Sequence, residues 1–280
     1  MLCSGSGYDI IYIKYNAMPH AHVHDMICYR YPPLFITENL NISPLGGNPL
    51  LPTFDIKTRY TKAETNRQIK EKQTILIIKI MPLIAITGTP GTGKTSVCRA
   101  LGSEYNIINL NAVIKHRGFY TGIDADRGCF IADLHRLAEY IRREVENSEK
   151  PVVIESHLAH LLPLQPDVAI VLRANPVVLA SRLRQKGFPM RKIEENVEAE
   201  MLDVILIEAV ELCHVIYELD TTNSAVSETA SIIREIIDVE VRGERGADVT
   251  PRKESLRLRF RPGSINWLKD TVNFSRVTSA

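Results

Sequence analysis

The chain has 280 residues, 45% hydrophobic and 24% charged, the balance of an ordinary folded protein with room for one large or two modest domains. Thirty-four Lys and Arg against 33 Asp and Glu leave a net charge of +1, which excludes a global electrostatic pull toward nucleic acid or membrane. Five widely spaced cysteines with no C-x-x-C pair point away from a zinc site or a disulfide framework and fit a reducing, cytoplasmic setting.

In chain order, residues 1–72 read differently from the rest. Pro32-Pro33, Pro44, Gly46-Gly47, Pro49 and Pro52 punctuate them and no hydrophobic period persists. His20, His22 and His24 alternate as on one face of a strand, but no carboxylate or cysteine has ligand spacing to them, so a polar stretch is preferred to a metal site. No basic segment leads into an apolar run with a small-residue cleavage site, so no signal peptide is expected. Tyr60–Lys72 is charged, a solvated helix or a linker, and Ile75–Ile80 can lengthen the strand that follows. The longest apolar run, Ile75–Ile86, is broken by Lys79 and Pro82 and is too short to span a bilayer, so no membrane association is expected. Residues 1–80 are therefore expected to be an extension outside the catalytic fold, or to follow a start that the cell does not use.

From Met81 the pattern alternates. Pro82–Thr87 is a short buried strand and Ser96–Leu101 the start of a helix. Asn106–Leu110 is a second strand. Helices at Asn111–Gly118 and Ile131–Glu146 flank a loop at Phe119–Phe130. Pro151–Glu155 and Asp167–Leu172 are the third and fourth strands, Pro176–Gln185 a helix, and Met190–His214 one long amphipathic helix. Val215–Leu219 is the fifth strand and Val226–Ile237 a closing helix. Continuous apolar strands between helices predict an α/β fold: a five-stranded parallel sheet with helices on both faces and right-handed crossovers. Residues 242–261 carry seven basic against three acidic side chains. RNA phosphates are one possible target, but glycine and proline favour a solvated linker. The tail beyond it holds the only tryptophan, Trp267, which is expected to pack back on the core.

Between the first strand and its helix lies Gly88-Thr89-Pro90-Gly91-Thr92-Gly93-Lys94-Thr95. This is a phosphate-binding loop in its required context. Glycine lets successive N–H groups turn inward toward phosphate oxygens, and the helix N-terminus adds a positive dipole end. Lys94 is placed to reach the β- and γ-phosphates and Thr95 to ligate Mg²⁺, which predicts a P-loop NTPase that uses ATP and Mg²⁺. No Asn-Lys-x-Asp run reads guanine and no Asp-x-x-Gly follows the third strand, so a GTPase is excluded. At that strand end stands Glu155-Ser156-His157. Glu155 can hold the metal across from the loop. His157, two residues on, points to the same side if strand geometry persists, either as a catalytic group or as a bystander. Arg182 and Lys186 share a helix face before Gly187 and can close as a cationic flap over the moving phosphoryl group.

These features resemble the adenylate kinase isoenzyme six family, its archaeal members above all, across about Pro82–Asp238 and the Pro262-Gly263-Ser264-Ile265-Asn266-Trp267 tail. The resemblance implies a broad-specificity nucleoside monophosphate kinase with ATPase activity. It also implies a role in late maturation of small-subunit ribosomal RNA, through transient contact with small-subunit ribosomal protein eleven and pre-ribosomal RNA. It assigns Gly91, Gly93, Lys94, Thr95, Ser96 and Lys186 to ATP, and a monophosphate-binding insertion to residues of about 111–134, with Lys115, Tyr120 and Asp124 as its contacts. A short lid is implied at about 185–195. Within this frame residues 81–240 are the kinase core, 241–261 a basic linker and 262–280 a tail on the core. Two positions depart from the family: Glu155 replaces the usual Asp, and Lys186 the usual Arg, which keeps the charge but loses the bidentate fork. Two rival functions stand beside this one: an assembly ATPase whose cycle switches a protein–RNA contact, and a small-metabolite kinase on the same fold.

Overall fold

The computed structural model describes residues 81–125, 128–242 and 250–268. The histidine triplet and the segments 60–72 and 75–80 lie outside them. The chain opens with β1 (Leu83–Thr87), whose five residues are all buried. It continues through α1 (Lys94–Leu101), β2 (Asn106–Asn109), α2 (Leu110–Arg117), β3 (Tyr120–Asp124), β4 (Cys129–Ala132) and α3 (Leu134–Glu146). Next come β5 (Val152–Glu155), β6 (Val168–Arg173), α4 (Pro176–Gln185), α5 (Met190–Met201) and α6 (Val204–Leu212), then β7 (Ile216–Asp220), α7 (Val226–Ile237) and α8 (Thr250–Arg259).

Five strands form one sheet in the order β2-β5-β1-β6-β7, all parallel. The two-residue period of β1 sends Ile84 and Ile86 to one face, where they pack with Val97, Leu101, Tyr217, Ile233 and Leu256 from α1, β7, α7 and α8. Leu83 and Ala85 go to the other face, with Ile114, Leu137 and Ile141 of α2 and α3. Each fully buried aliphatic side chain contributes about 1.5–3 kcal/mol. The chain leaves β1 for β2 and β5 on one side and then crosses to β6 and β7 on the other. The loop after β1 therefore lies at the carboxyl end of the sheet where the winding reverses, the usual ligand crevice of such sheets. This is the α/β fold of a P-loop NTPase.

The structure corrects three sequence expectations. Phe119–Phe130 is not a loop: β3 and β4 pair antiparallel as a hairpin, Ile123 opposite Phe130 and Asp124 opposite Cys129. Its exposed face alternates weakly, so the two-residue period is hard to read from the chain. Met190–His214 is two helices, not one. Asp203 turns to a left-handed φ of 56°, and Arg173 Nη2 donates both to the Glu200 carbonyl at 2.9 Å and to the Asp203 carboxylate. A guanidinium thus caps the end of α5, a stop signal that lies 27 residues away in sequence. Residues 250–259 are helical although Pro251 is among them, because proline is tolerated in a first turn. The basic residues of α8 are largely committed: Arg252 pairs with Glu235, and Lys253 and Arg257 both pair with Glu240. Trp267 is 8% exposed. Among the described residues no helix is long and apolar enough to cross a membrane.

Candidate active site

The loop after β1 bends at glycines that other residues replace poorly. Gly88 has φ +135°, and a Cβ there would stand 2.3 Å from the Leu172 carbonyl oxygen. Gly91 has φ +96°, with Leu179 of α4 packed where its Cβ would go. Gly93, at φ +98°, precedes Lys94 at the first turn of α1. The half-buried Lys94 donates from Nζ to the carbonyls of Gly88 at 2.6 Å and Thr89 at 3.0 Å. Burial lowers its pKa to about 8; Glu155 and Glu200 pull it back up, and Lys186 adds to the lowering. One ammonium group thus feels Glu155, Glu200 and Lys186 together. Thr95 and Ser96 are exposed in the same first turn, with free N–H groups of the helix start around them.

Glu155 ends β5, beside Ile86 of β1 and Asn109 of β2. It is 4% exposed and accepts from Asn109 Nδ2 at 2.6 Å. Asn109 also caps α2 by accepting from the Ala112 N–H at 2.8 Å. Burial raises the pKa of Cys98, one turn into α1, and the nearby Glu155 carboxylate, which accepts its thiol hydrogen bond, raises it further. The buried thiol is a filler between Lys94 and Glu155 rather than a nucleophile.

His157 does not share the Glu155 side by strand alternation, because the strand stops at Glu155. Ser156 N–H donates to the Ile86 carbonyl at 3.2 Å, and its hydroxyl accepts from the Leu158 N–H at 3.1 Å and donates to Asn111 Oδ1 at 2.8 Å. That turn sets His157 by loop geometry, and it is half-buried. A histidine that sequence reasoning missed lies three residues further on. His160 is 2% exposed, with Nδ1 2.8 Å from Thr87 Oγ1 and Nε2 3.0 Å from Glu208 Oε2. It braces the residue just before the loop against α6.

Arg182 and Lys186 part company. Arg182 is half-buried, and its guanidinium donates to the carbonyls of Thr221 at 2.7 Å and Thr222 at 3.1 Å. The Thr221 hydroxyl lies 2.8 Å from the Thr92 carbonyl of the loop. Arg182 thus props the loop through Thr221 and is not presented as a flap cation. Lys186 is exposed, at the end of α4, just before Gly187 with φ +76°. On the hairpin side, Lys115 is exposed on α2 and Tyr120 stacks on Phe130 at 4.4 Å between ring centroids. Asp124 is half-buried at the end of β3.

No group of three or more His, Cys, Asp or Glu among the described residues is arranged to hold a metal. Mg²⁺ needs none: it keeps its waters and takes one or two protein oxygens plus phosphates. The hydroxyl of Thr95 and the carboxylate of Glu155 are a donor set of that kind.

A protein-family model described as an AAA domain matches residues 84–203. A protein of Methanosarcina acetivorans described as "Putative adenylate kinase" is 42% identical over 193 residues, 66% of this chain and 97% of that protein. One of Archaeoglobus fulgidus with the same description is 41% identical over 189 residues, 67% of this chain and 93% of its own. Among solved structures, thymidylate kinase from Candida albicans is 15% identical with a TM-score of 0.40, over 59% of this chain and 94% of its own.

Proposed function

Because this chain belongs to the family of those archaeal adenylate kinase relatives, we propose that it transfers the γ-phosphoryl group of ATP to a nucleoside monophosphate, with broad acceptor specificity. The observation that carries the proposal is Lys94. It sits at the first turn of α1 behind a glycine cradle and shares one field with Glu155 and Lys186. The loop N–H groups and Lys94 hold the triphosphate, with Gly91, Gly93, Thr95 and Ser96 around it. The acceptor enters beside the hairpin, where Lys115, Tyr120 and Asp124 are its contacts. A phosphate oxygen of the monophosphate attacks the γ-phosphorus, the bond to the β-γ bridging oxygen breaks, and ADP departs with that electron pair. Lys94 and Lys186 offset the charge that spreads over the moving group, and the segment 185–195 covers it and excludes water. Thr95 and Glu155 would hold Mg²⁺, which would supply further positive charge to offset that of the phosphates. His157, in the turn after Glu155, is assigned in this proposal to orient a phosphate of the acceptor or a water.

ATP hydrolysis, and the contacts with small-subunit ribosomal protein eleven and pre-ribosomal RNA, are the finer part of the same proposal. One assay separates them: ADP formation with and without AMP. Strong stimulation by AMP supports the kinase; a rate indifferent to AMP supports the assembly ATPase. Lys94→Ala should abolish turnover in either case, and a variant as active as the native chain would remove the mechanism.

A further inference from the structure

Behind the phosphate loop lies a buried polar cluster that the transfer reaction does not use. Glu200, 2% exposed near the end of α5, collects four donors on its two carboxylate oxygens. Oε1 accepts from Arg173 Nε at 2.7 Å, the Ala174 N–H at 3.0 Å and Trp267 Nε1 at 3.2 Å. Oε2 accepts from the hydroxyl of Thr89, inside the phosphate loop. A carboxylate, which offers only acceptors, suits four donors; an amide in its place turns an N–H toward one of them.

Thr89 in turn fixes the loop. Its carbonyl accepts from Lys94 Nζ at 3.0 Å, from the Thr92 N–H at 3.2 Å and from the Thr92 hydroxyl at 2.9 Å. The chain of contacts therefore runs from the indole of Trp267 to Glu200, from Glu200 to Thr89, and from Thr89 to the ammonium of Lys94. The tail that carries Trp267 is fastened one step earlier as well. Glu218 Oε2 accepts from the Ser264 N–H at 2.9 Å and the Ile265 N–H at 3.3 Å, while Glu218 Oε1 takes Arg173 Nη1 at 2.6 Å. Tail and phosphate loop are thus hung on one buried guanidinium–carboxylate cluster.

We propose that Glu200 is a positioning residue for the phosphate loop and that the C-terminal Trp267 holds Glu200 in register, so that tail docking and triphosphate binding are energetically linked. Linkage is reciprocal: a tail that stiffens the loop raises nucleotide affinity, and bound nucleotide tightens the tail. The proposal rests on the reading of Gly88–Thr95 as a triphosphate cradle, but not on the identity of the acceptor.

The test uses the full chain and two conservative variants, because Glu200→Gln leaves Arg173 short of a partner and risks misfolding. Trp267→Phe keeps an aromatic ring and removes one donor; Thr89→Val keeps the shape and removes the hydroxyl. MgATP affinity is measured by calorimetry for the native chain, each single variant and the double variant. Each single change should weaken binding about threefold to tenfold, the worth of one net hydrogen bond. The double change should be no more than about twofold worse than the poorer single one, because both act through Glu200. For Trp267→Phe the KM for ATP should rise while kcat stays within about twofold, and Thr89→Ser should restore affinity. Trp267 is the sole tryptophan, so its emission should change on addition of MgATP to the native chain and lose that response in Thr89→Val. Single effects that multiply in the double variant, or emission indifferent to MgATP, would overturn the linkage while leaving the kinase intact. A native chain that binds no MgATP would overturn both.

Discussion

Lys94 shows how much one side chain's surroundings decide. Its burial lowers the pKa to about 8 from the ordinary 10.5, with Glu155 and Glu200 limiting the drop. The free protein then loses the lysine charge as pH rises through about 8. Bound triphosphate favours the charged form and keeps the proton to higher pH. The expected outcome is a kcat/KM for ATP that declines above about pH 8 while kcat holds longer, read from initial-rate pH profiles. The stability consequence has the opposite sign. Between about 8 and 10.5 the unfolded chain binds more protons at this site than the folded one, so folding stability gains from this lysine as pH rises through that window. Below it the burial cost is present in full. A Lys94→Met variant should lack that gain in thermal melts taken across the window.

At the scale of elements, the guanidinium of Arg173 matters most. It is 2% exposed and binds Glu200, Glu218 and Asp203, tying β6 to β7, to the end of α5 and to the start of α6. Burial raises the Glu218 pKa, and Arg173 opposes that rise. Arg173→Met leaves two buried carboxylates without their cation, a loss of about 3–5 kcal/mol. The urea midpoint should fall accordingly, and the deficit should narrow as pH drops, because a carboxyl whose folded pKa lies above its unfolded one gains stability on protonation.

This cluster also marks where sequence reading ends. The strands were legible because Leu83–Ile86 and Val168–Leu172 are unbroken apolar runs, and the glycine loop announces itself by spacing. The break at Asp203 was not, because its cause is an arginine on another strand. Arg182 misled for a similar reason: helix spacing put it beside Lys186, but the carbonyls that claim it belong to the loop after β7. Glu200 and His160 carry no local motif, and only the fold brings them to the loop.

For the molecule as a whole, the question is where the self-sufficient unit begins. Met81 is 8% exposed and the central strand starts two residues later, with neighbours on both sides from residues after it. Both faces of that strand are covered by helices from the same stretch. The archaeal relatives are matched over 97% and 93% of their lengths by about two thirds of this chain, so a folding unit of that size is already realised in the family. Among the described residues, side chains after Met81 pack both faces of the central strand and complete the Arg173 cluster. A chain starting at Met81 should therefore unfold cooperatively with a melting temperature close to that of the full chain. Because only the folded state holds a triphosphate, MgATP at about a hundred times its Kd should stabilise either chain by about 2.7 kcal/mol. For a domain of this size that is a rise of roughly 5–10 °C. Calorimetric melts of both chains with and without MgATP measure boundary and cradle together. A shortened chain that melts without cooperativity would place the boundary upstream of Met81, and one that folds but ignores MgATP would give residues 1–80 a part in the site.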